Sequence, residues 1–492
     1  MEGTVNRETE MCQTSANSCA NCERMHQEVQ RLQQQLQEQG QAMAVLTEEI
    51  RQLKEKLAAK SKDSSTSSKP PSSDIVKPGK DPATLGSSPR QGGGQPGHPK
   101  HTRVAFAPEE LTAGSHTHRM THCPDCQTPV VPANQLPRIV QQIDIVHPPL
   151  EISEHRALPY WCPHCCRVHF ACLPGDIELG GLLGPRLTAF IAYLKGFCHA
   201  SYSTIRIYLR DVLRIKVSRG MLNKVIAKVT AALEEPYEEI LMRLPGEAVL
   251  NVDETGHKDN GDRWWTWCFR ASLYTLFKID PRRSGDVLID VLGQEFNGVL
   301  GCDYYGAYRR YMREFDVTVQ FCLAHLIRDV KFLMTLPGEQ DKAYGTRLRD
   351  GLKRLFCVIH DKDNLDRAVF QEKLQAAREA IVKAATQDVP NTKHSQNLAK
   401  RFEKHGPAYF EFMTTPGVEP TNNLAEQAIR FVVIDRHITQ GTRGETGRRW
   451  CERIWTVIAT CTRQGRSVFE YLCDAVKAYF NDKPAASLVA NE

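Results

Sequence analysis

Three acidic residues between positions 253 and 426 could form a carboxylate site for divalent cations. Asp253 follows the apolar run 248–252, Asp303 ends a second such run, and Glu426 lies in a later helical pattern. Displacement at a phosphodiester needs an activated attacking oxygen and a stabilised leaving oxygen, which two Mg²⁺ ions about 3.5 to 4 Å apart supply. Because Mg²⁺ prefers oxygen ligands, these residue types predict two magnesium ions held by Asp253, Asp303 and Glu426.

The elements around these acids must bring them together. Alternating apolar residues joined by short polar connections predict an antiparallel meander of three strands, followed by a helix and a fourth strand that ends at Asp303. This order matches the opening of a ribonuclease-H-like α/β fold, with Asp253 and Asp303 on neighbouring strands. The predicted strands are 248–255, 264–270, 274–279, 299–303 and 317–321, and the helix is 286–296.

Each of these acids could instead have a purely structural role, and Asp253 has a rival. Glu254 rivals Asp253, but alternation along a strand points it to the opposite face. An Asp at a strand end is more often a turn residue than a ligand. Asn423 followed by Glu426 three residues later is close to a capping box at a helix start.

Two Cys-x-x-Cys pairs predict a zinc module. Four thiolates satisfy tetrahedral zinc, and a short segment can then fold around the metal in place of a large core. The predicted structural zinc ligands are Cys123, Cys126, Cys162 and Cys165, and the neighbouring substitutes are His122, His164, Cys166, His169 and Cys172.

A basic helical stretch follows at 186–228. It holds nine Lys or Arg residues against one acid, Asp211, which gives a local charge of +8. Two apolar helical faces separated by a short break predict a helix-turn-helix that binds double-stranded DNA, although a solvated surface would show a similar charge. The predicted DNA-binding residues are Arg206, Arg210, Arg219, Asn223, Lys224 and Lys228.

The N-terminal part predicts self-association. Eight of the nine seam positions of a heptad pattern from Val29 to Leu57 are apolar, and Gln39 is the exception. This pattern favours a coiled coil that joins copies of the chain into a homo-oligomer, and a helix packed on the chain's own core is the alternative. Residues 61–100 contain 22 Ser, Gly or Pro, a composition typical of a flexible linker.

Composition excludes several classes of protein. The 492 residues are 41% hydrophobic and 25% charged, which is ordinary for globular domains, and the net charge is only +5. No apolar run approaches the roughly 18 to 20 residues that span a bilayer. The N-terminus lacks an apolar signal core, so we expect no membrane contact and a cytoplasmic, nucleoid-associated location.

Several motifs in one order carry a resemblance to a known family. They are the heptads, Gly93–Pro99, the paired Cys-x-x-Cys motifs, the basic helices, Val252–Thr255, Gly301–Tyr308, Cys322–His325 and Asn422–Glu426. In this order they resemble the DDE transposases of the insertion sequence 66 family.

The resemblance implies a function. In that family a DDE triad binds magnesium and cuts and joins element ends, and the matching positions here are Asp253, Asp303 and Glu426. The family's Cys-x-x-His element matches Cys322 and His325, whose role stays open. Accessory proteins of the same element are implied as partners. Eight arginines from 430 to 466 suit DNA phosphates beside the site; those predicted to bind DNA are Arg430, Arg436, Arg443, Arg448 and Arg449.

The sequence therefore predicts a DNA transposase that binds terminal inverted repeats. A non-catalytic DNA-binding regulator and a structure-specific nuclease are the alternatives. The predicted segments are a coiled coil at 1–60, a linker at 61–104, a zinc module at 105–180, a helix-turn-helix at 181–235, a catalytic core at 236–335 and 416–492, and a helical insertion at 336–415.

Overall fold

A computed structural model describes most of the chain. The described residues are 20–60, 105–111, 115, 117, 119, 121–122, 124–129, 131, 139, 141, 149–164 and 166–489, with backbone only at 20–23, 162 and 167. They fall into two compact units, one comprising Met1–Pro78, Leu233–Ser467 and Ser487–Glu492 and the other comprising Gly79–Ala232 and Val468–Ala486. The predicted linker at 61–104 lies outside the described residues.

The heptad segment lies in one helix, α1 (Ala20–Lys60). Its seam residues are exposed in the single chain; Leu36 and Leu57, for example, keep 74% and 67% of their surface. An apolar stripe of this length on an exposed helix suits pairing with another helix. The coiled coil itself stays a prediction.

Two of the predicted zinc ligands have a described backbone position: Cys162 ends a strand, and Cys126 lies in a turn. Strands β1 (Pro159–Cys162) and β2 (Arg167–Phe170) form an antiparallel hairpin in which Cys162 pairs with Arg167. The other Cys-x-x-Cys turn is flanked by an isolated antiparallel bridge between His122 and Pro129. Cys123, Cys165 and the side chain of Cys162 lie outside the described residues, and the described Cys126 is exposed.

Short helices follow in the same unit: α2 (Gly175–Glu178), α3 (Pro185–Gly196), α4 (Tyr202–Asp211) and α5 (Arg219–Ala232). Ser201 caps α4 by accepting from Thr204 N–H at 3.0 Å, and Ser218 caps α5 through Met221 N–H at 3.1 Å. The connection at 212–218 is longer than the three or four residues typical of a helix-turn-helix.

The other unit contains a five-stranded mixed sheet. After α6 (Glu234–Arg243) come β3 (Val249–Asp259), β4 (Asp262–Arg270), β5 (Thr275–Asp280), α7 (Gly285–Leu292), β6 (Val299–Cys302), α8 (Gly306–Phe315) and β7 (Val319–Phe321). The strand order is β5-β4-β3-β6-β7. The first three strands are antiparallel, as predicted, and β6 and β7 run parallel to β3. This mixed sheet in a helix-rich chain is compatible with a ribonuclease-H-like domain.

Helices make up the rest of the chain. They are α9 (Leu323–Thr335), α10 (Glu339–His360), α11 (Arg367–Thr386), α12 (Lys393–His405), α13 (Asn423–Thr439), α14 (Glu445–Arg463) and α15 (Val468–Phe480). The last helix, α15, falls in the predicted 416–492 segment but packs against α3 and α5. None of the described helices has the length and apolarity needed to cross a membrane.

Helix α14 protects the edge of the sheet at β5. Thr460, Thr456 and Glu452 lie four residues apart on one helical face, and each accepts a backbone N–H of β5, at 3.2, 3.1 and 2.6 Å. An uncovered edge strand would leave these donors open to another chain. The helix therefore closes the side of the sheet farthest from β7.

Candidate active site

The register of two parallel strands places the first two acids side by side. Asn251 of β3 pairs with Gly301 of β6, so Asp253, within β3, and Asp303, just after β6, lie level on adjacent strands. Adjacent strands are about 4.8 Å apart, so the two carboxylates face a common space. Both residues are half-buried. The structure thus brings together two of the acids that the sequence predicted as ligands.

A pair of buried amides fixes the start of the helix that carries the third acid. Asn422 precedes α13 and is 1% exposed. Its Nδ2 donates to the Val252 carbonyl at 2.7 Å, and its Oδ1 accepts from Asn251 Nδ2 at 3.0 Å. These bonds hold the first turn of α13, with Glu426, beside the strand residue that precedes Asp253.

The carboxylate of Glu426 has two neighbours on α9. Arg328 donates to its Oε2 at 3.2 Å, and His325 Nδ1 lies 3.5 Å from its Oε1. Arg328 Nη1 also lies 3.2 Å from His325 Nε2. Since guanidinium can only donate, Nε2 is the acceptor, and the remaining proton of the neutral ring sits on Nδ1 and faces Glu426.

The electrostatics of the site favour a cation. Burial raises the pKa of Asp253 well above its ordinary value, and repulsion from Glu254, Asp303 and Glu426 adds to the rise. Burial and the Glu254 charge likewise raise the pKa of Asp303. Carboxylates that destabilise one another in this way gain most from a divalent ion held between them.

Glu254, next to Asp253 in sequence, has structural partners of its own. Its carboxylate accepts from Arg283 at 2.7 Å and from the Tyr308 hydroxyl, and its side chain is 1% exposed. The ion pair and the hydrogen bond compensate the cost of burying the Glu254 charge.

The donor set fits magnesium. All three acids offer oxygen atoms, and Glu426 Oε1 is buried without a hydrogen-bond partner among the described residues. Mg²⁺ is bound in proteins through one or two carboxylates and substrate phosphates, so a set of three acids with one unsatisfied oxygen is suited to it. Asp253, Asp303 and Glu426 would hold the ions.

A second set of donors shares Glu426. One ligand atom each from Cys322, His325 and Glu426 lies within 4.8 Å of the others. Cys322 Sγ accepts from Asn422 N–H at 3.1 Å, and burial raises the pKa of its thiol to about 11. His325 Nδ1 and Glu426 Oε1 face each other at 3.5 Å, and neither buried atom has a hydrogen-bond partner among the described residues.

The helix of Glu426 lacks the capping box that the sequence left open. The residue at the N-cap is Asn422, and its side chain bonds to β3 instead of to the helix. Asn423 is the first residue inside the helix and is exposed.

The predicted DNA-binding residues of the basic helices are mostly on the surface. Arg206, Arg210, Arg219, Asn223 and Lys224 are exposed. Lys228 instead donates to the carbonyl of Leu179 and lies over the ring of Phe480 at 5.4 Å. Arg210 pairs with Asp211, and Arg206 donates to Val217 O.

The predicted arginines of the C-terminal part divide into two groups. Arg430 and Arg443 are exposed, and Arg449 is an exposed residue paired with Glu445. Arg448 instead forms an ion pair with the buried Asp259 and lies over Trp264 at 4.3 Å. Arg436 is half-buried and donates to Thr255 Oγ1 at 3.0 Å.

Sequence reasoning missed the residues that arrange the acids. Asn251, Asn422 and Arg328 touch or position the carboxylates, and Arg283 neutralises Glu254. Asn422 was within a motif already noted, but only its contact with β3, 170 residues away, identifies it as a positioning residue.

Comparisons with known proteins assign most of the chain's length to described families. Residues 180–449 match the model of the Transposase IS66 family, and residues 15–104 match a model described as a family of unknown function. "Uncharacterized protein y4qI" of Sinorhizobium fredii (strain NBRC 101917 / NGR234) is 24% identical over 380 residues, which cover 71% of this chain and 69% of that protein.

A solved structure is also similar in part. The cryo-EM structure of the simian T-cell lymphotropic virus intasome in complex with PP2A regulatory subunit B56 gamma matches 47% of this chain and 77% of that chain at 10% identity. Its TM-score of 0.14 is too low to indicate a shared fold. The IS66 match, by contrast, spans more than half of the 492 residues and includes all three acids. The chain belongs to the IS66 family of transposases.

Proposed function

We propose that this chain is a DDE-type DNA transposase in which Asp253, Asp303 and Glu426 form the catalytic site. The register that sets Asp253 level with Asp303 is the observation that carries the proposal. The Asn422 bonds, which hold the Glu426 helix against the same strand, support it. Magnesium held by these acids would supply an activated attacking oxygen and a stabilised leaving oxygen.

The chain's own residues have distinct tasks in this reaction. The two strand acids define one side of the space where a phosphodiester must lie, and Glu426 approaches from the helix. Arg328 orients the Glu426 carboxylate by donating to Oε2, and His325 lies beside the other oxygen. Half-burial of the acids limits water around them, which strengthens every charge interaction at the site.

We further propose that the remaining parts deliver DNA to this site. The exposed cations of α4 and α5 would bind terminal repeats, and zinc held by Cys123, Cys126, Cys162 and Cys165 would stabilise the neighbouring module. The position of Cys162 at the end of β1, and of Cys126 in a turn beside the His122–Pro129 bridge, supports this ligand set. The exposed seam of α1 would pair copies of the chain, so that two element ends meet.

The test compares single carboxylate removals. We expect Asp253→Asn and Asp303→Asn to lower magnesium-dependent cleavage of a terminal-repeat duplex by a factor on the order of 100 or more, because each removes a cation ligand. Binding of the same duplex should persist in gel-shift titrations. Asp363→Asn, which removes an exposed carboxylate elsewhere in the same unit, is the matched control. Cleavage at the wild-type rate by Asp303→Asn would refute the site.

A further inference from the structure

A basic cavity lies along β3 beyond the acids. It has a volume of about 470 Å³ and is lined by residues of the β3–β4 hairpin and of the last turns of α13. The lining residues that matter here are Gly256, Lys258, Arg263, Arg436, His437 and Gln440. The catalytic acids are not among the residues that line it.

The cations of this cavity lack acidic partners. Lys258 and Arg263 are directly opposite each other on paired strands, an arrangement of like charges that destabilises a hairpin. Within the described part of the chain, no carboxylate forms an ion pair with Lys258, Arg263 or Arg436. The buried carboxylate of the same hairpin, Asp259, is bound to Arg448 and Thr442 instead.

Arg436 adds a half-buried charge to the same place. The only hydrogen bond that its side chain makes among the described residues goes to the neutral hydroxyl of Thr255, and burial lowers its pKa. The negative end of α13 compensates part of this charge. A guanidinium held in this way, next to two exposed cations, is suited to an anion with several oxygen atoms.

The distance between the cavity and the acids is compatible with two phosphates of one DNA strand. Arg436 follows Glu426 by ten residues on one helix, which is about 15 Å along its axis. Lys258 follows Asp253 by five residues on one strand, which is about 17 Å. Along a DNA strand, with about 3.4 Å of helix axis per nucleotide, these distances correspond to roughly four or five nucleotides.

We propose that this cavity binds a backbone phosphate of the DNA, about four or five nucleotides from the phosphodiester at the acids. The inference rests on the proposed transposase function. Bound there, the phosphate compensates the three unpaired cations and fixes the register of the strand at the catalytic site. The phosphate belongs either to the element end or to the target DNA, and the two sources are separable by experiment.

The experiment removes one exposed charge at a time from the full chain. Lys258→Gln and Arg263→Gln are compared with Lys353→Gln and Arg354→Gln, which remove exposed charges of the same types from α10. Binding of a terminal-repeat duplex is measured between 50 and 200 mM salt. Loss of one phosphate contact should reduce the slope of log affinity against log salt by about 0.9. Between 50 and 200 mM salt, the drop in affinity of each cavity variant should therefore be about 3.5-fold smaller than that of the wild type.

A second measurement locates the phosphate. Methylphosphonate substitutions along the end duplex should weaken wild-type binding most at about the fourth or fifth nucleotide, and Lys258→Gln should be insensitive to that substitution. If end binding is unchanged but capture of plasmid target loses its salt dependence in the cavity variants, the phosphate is that of the target. Cavity variants that match the α10 controls in both assays would overturn the proposal.

These binding assays do not depend on catalysis. If the carboxylate variants cleave at the wild-type rate while the cavity variants show the altered slope, the proposed active site fails and the phosphate site stands. If cleavage responds to the carboxylates but the salt dependence of neither end binding nor target capture responds to Lys258 or Arg263, the phosphate site fails alone.

Discussion

At the scale of single residues, the site depends on neutral side chains as much as on acids. Asn422 donates to one strand carbonyl and accepts from Asn251, so each amide atom has a partner in a place that water does not reach. Gly301 leaves room for this contact, because a Cβ there would lie 2.5 Å from Asn251 Nδ2. The position of Glu426 relative to Asp253 follows from these bonds.

Replacing Asn422 should therefore affect both stability and catalysis. In Asn422→Ala the Val252 carbonyl and the Asn251 amide lose their partners while buried, which should cost about 1 to 3 kcal/mol of unfolding free energy. We also expect a higher magnesium requirement for cleavage, because Glu426 is no longer held beside Asp253. Denaturant unfolding and a magnesium titration of the cleavage rate measure the two effects.

The neighbouring Asn423 provides the control. It is exposed, so Asn423→Ala should leave stability nearly unchanged and the magnesium requirement as in the wild type. Equal magnesium requirements for the two variants would mean that Asn422 only stabilises the fold.

Strand patterning foresaw where Asp253 and Asp303 would lie, because alternation and strand order depend on local sequence. It did not foresee what Arg448 or Asn422 does. Arg448 was counted among the cations for DNA, and its ion pair with Asp259, 189 residues away, follows only from the approach of α14 to the hairpin. Contacts of this range leave no periodic signal in the sequence.

At the scale of elements, the contact of α14 with β5 closes one edge of the sheet with side chains instead of a strand. Two of the three acceptors are threonines, which stay neutral. The third, Glu452, can carry a charge, and burial raises its pKa to about 7. The folded chain therefore retains a proton that the unfolded chain releases near pH 4.5.

This shift predicts a pH-dependent effect of Glu452→Gln. Protonated Glu452 contributes up to about 3 kcal/mol to the free energy of unfolding. This contribution is fully present below about pH 4.5 and is lost as the pH rises through 7. The Gln amide oxygen can still accept from Ile279 N–H at every pH. The variant should thus gain stability over the wild type as the pH rises from 5 to 8, as measured by urea unfolding.

Glu445→Gln, on an exposed position of the same helix, is the matched control. A stability difference between Glu452→Gln and the wild type that stays constant from pH 5 to pH 8 would contradict the assignment.

At the scale of the whole molecule, each of the two compact units is assembled from stretches that are separate in the sequence. Helix α15 packs on α3 and α5, although it follows the last helix of the sheet-containing unit in sequence. The sequence assigned 416–492 to the catalytic core and did not identify the partner of α15, because an amphipathic face does not specify which surface it covers. The family match extends from the basic helices through the Glu426 helix, which ties both regions to one function.

The joining reaction tests the central claim most directly. A terminal-repeat duplex with a precleaved 3′ hydroxyl is mixed with supercoiled plasmid, magnesium and the full-length protein, and covalent joining is followed on gels. We predict joining by the wild type and none by Asp303→Asn, with equal binding of the end by both. Joining by Asp303→Asn, or a wild type that cleaves ends but never joins them, would contradict the account.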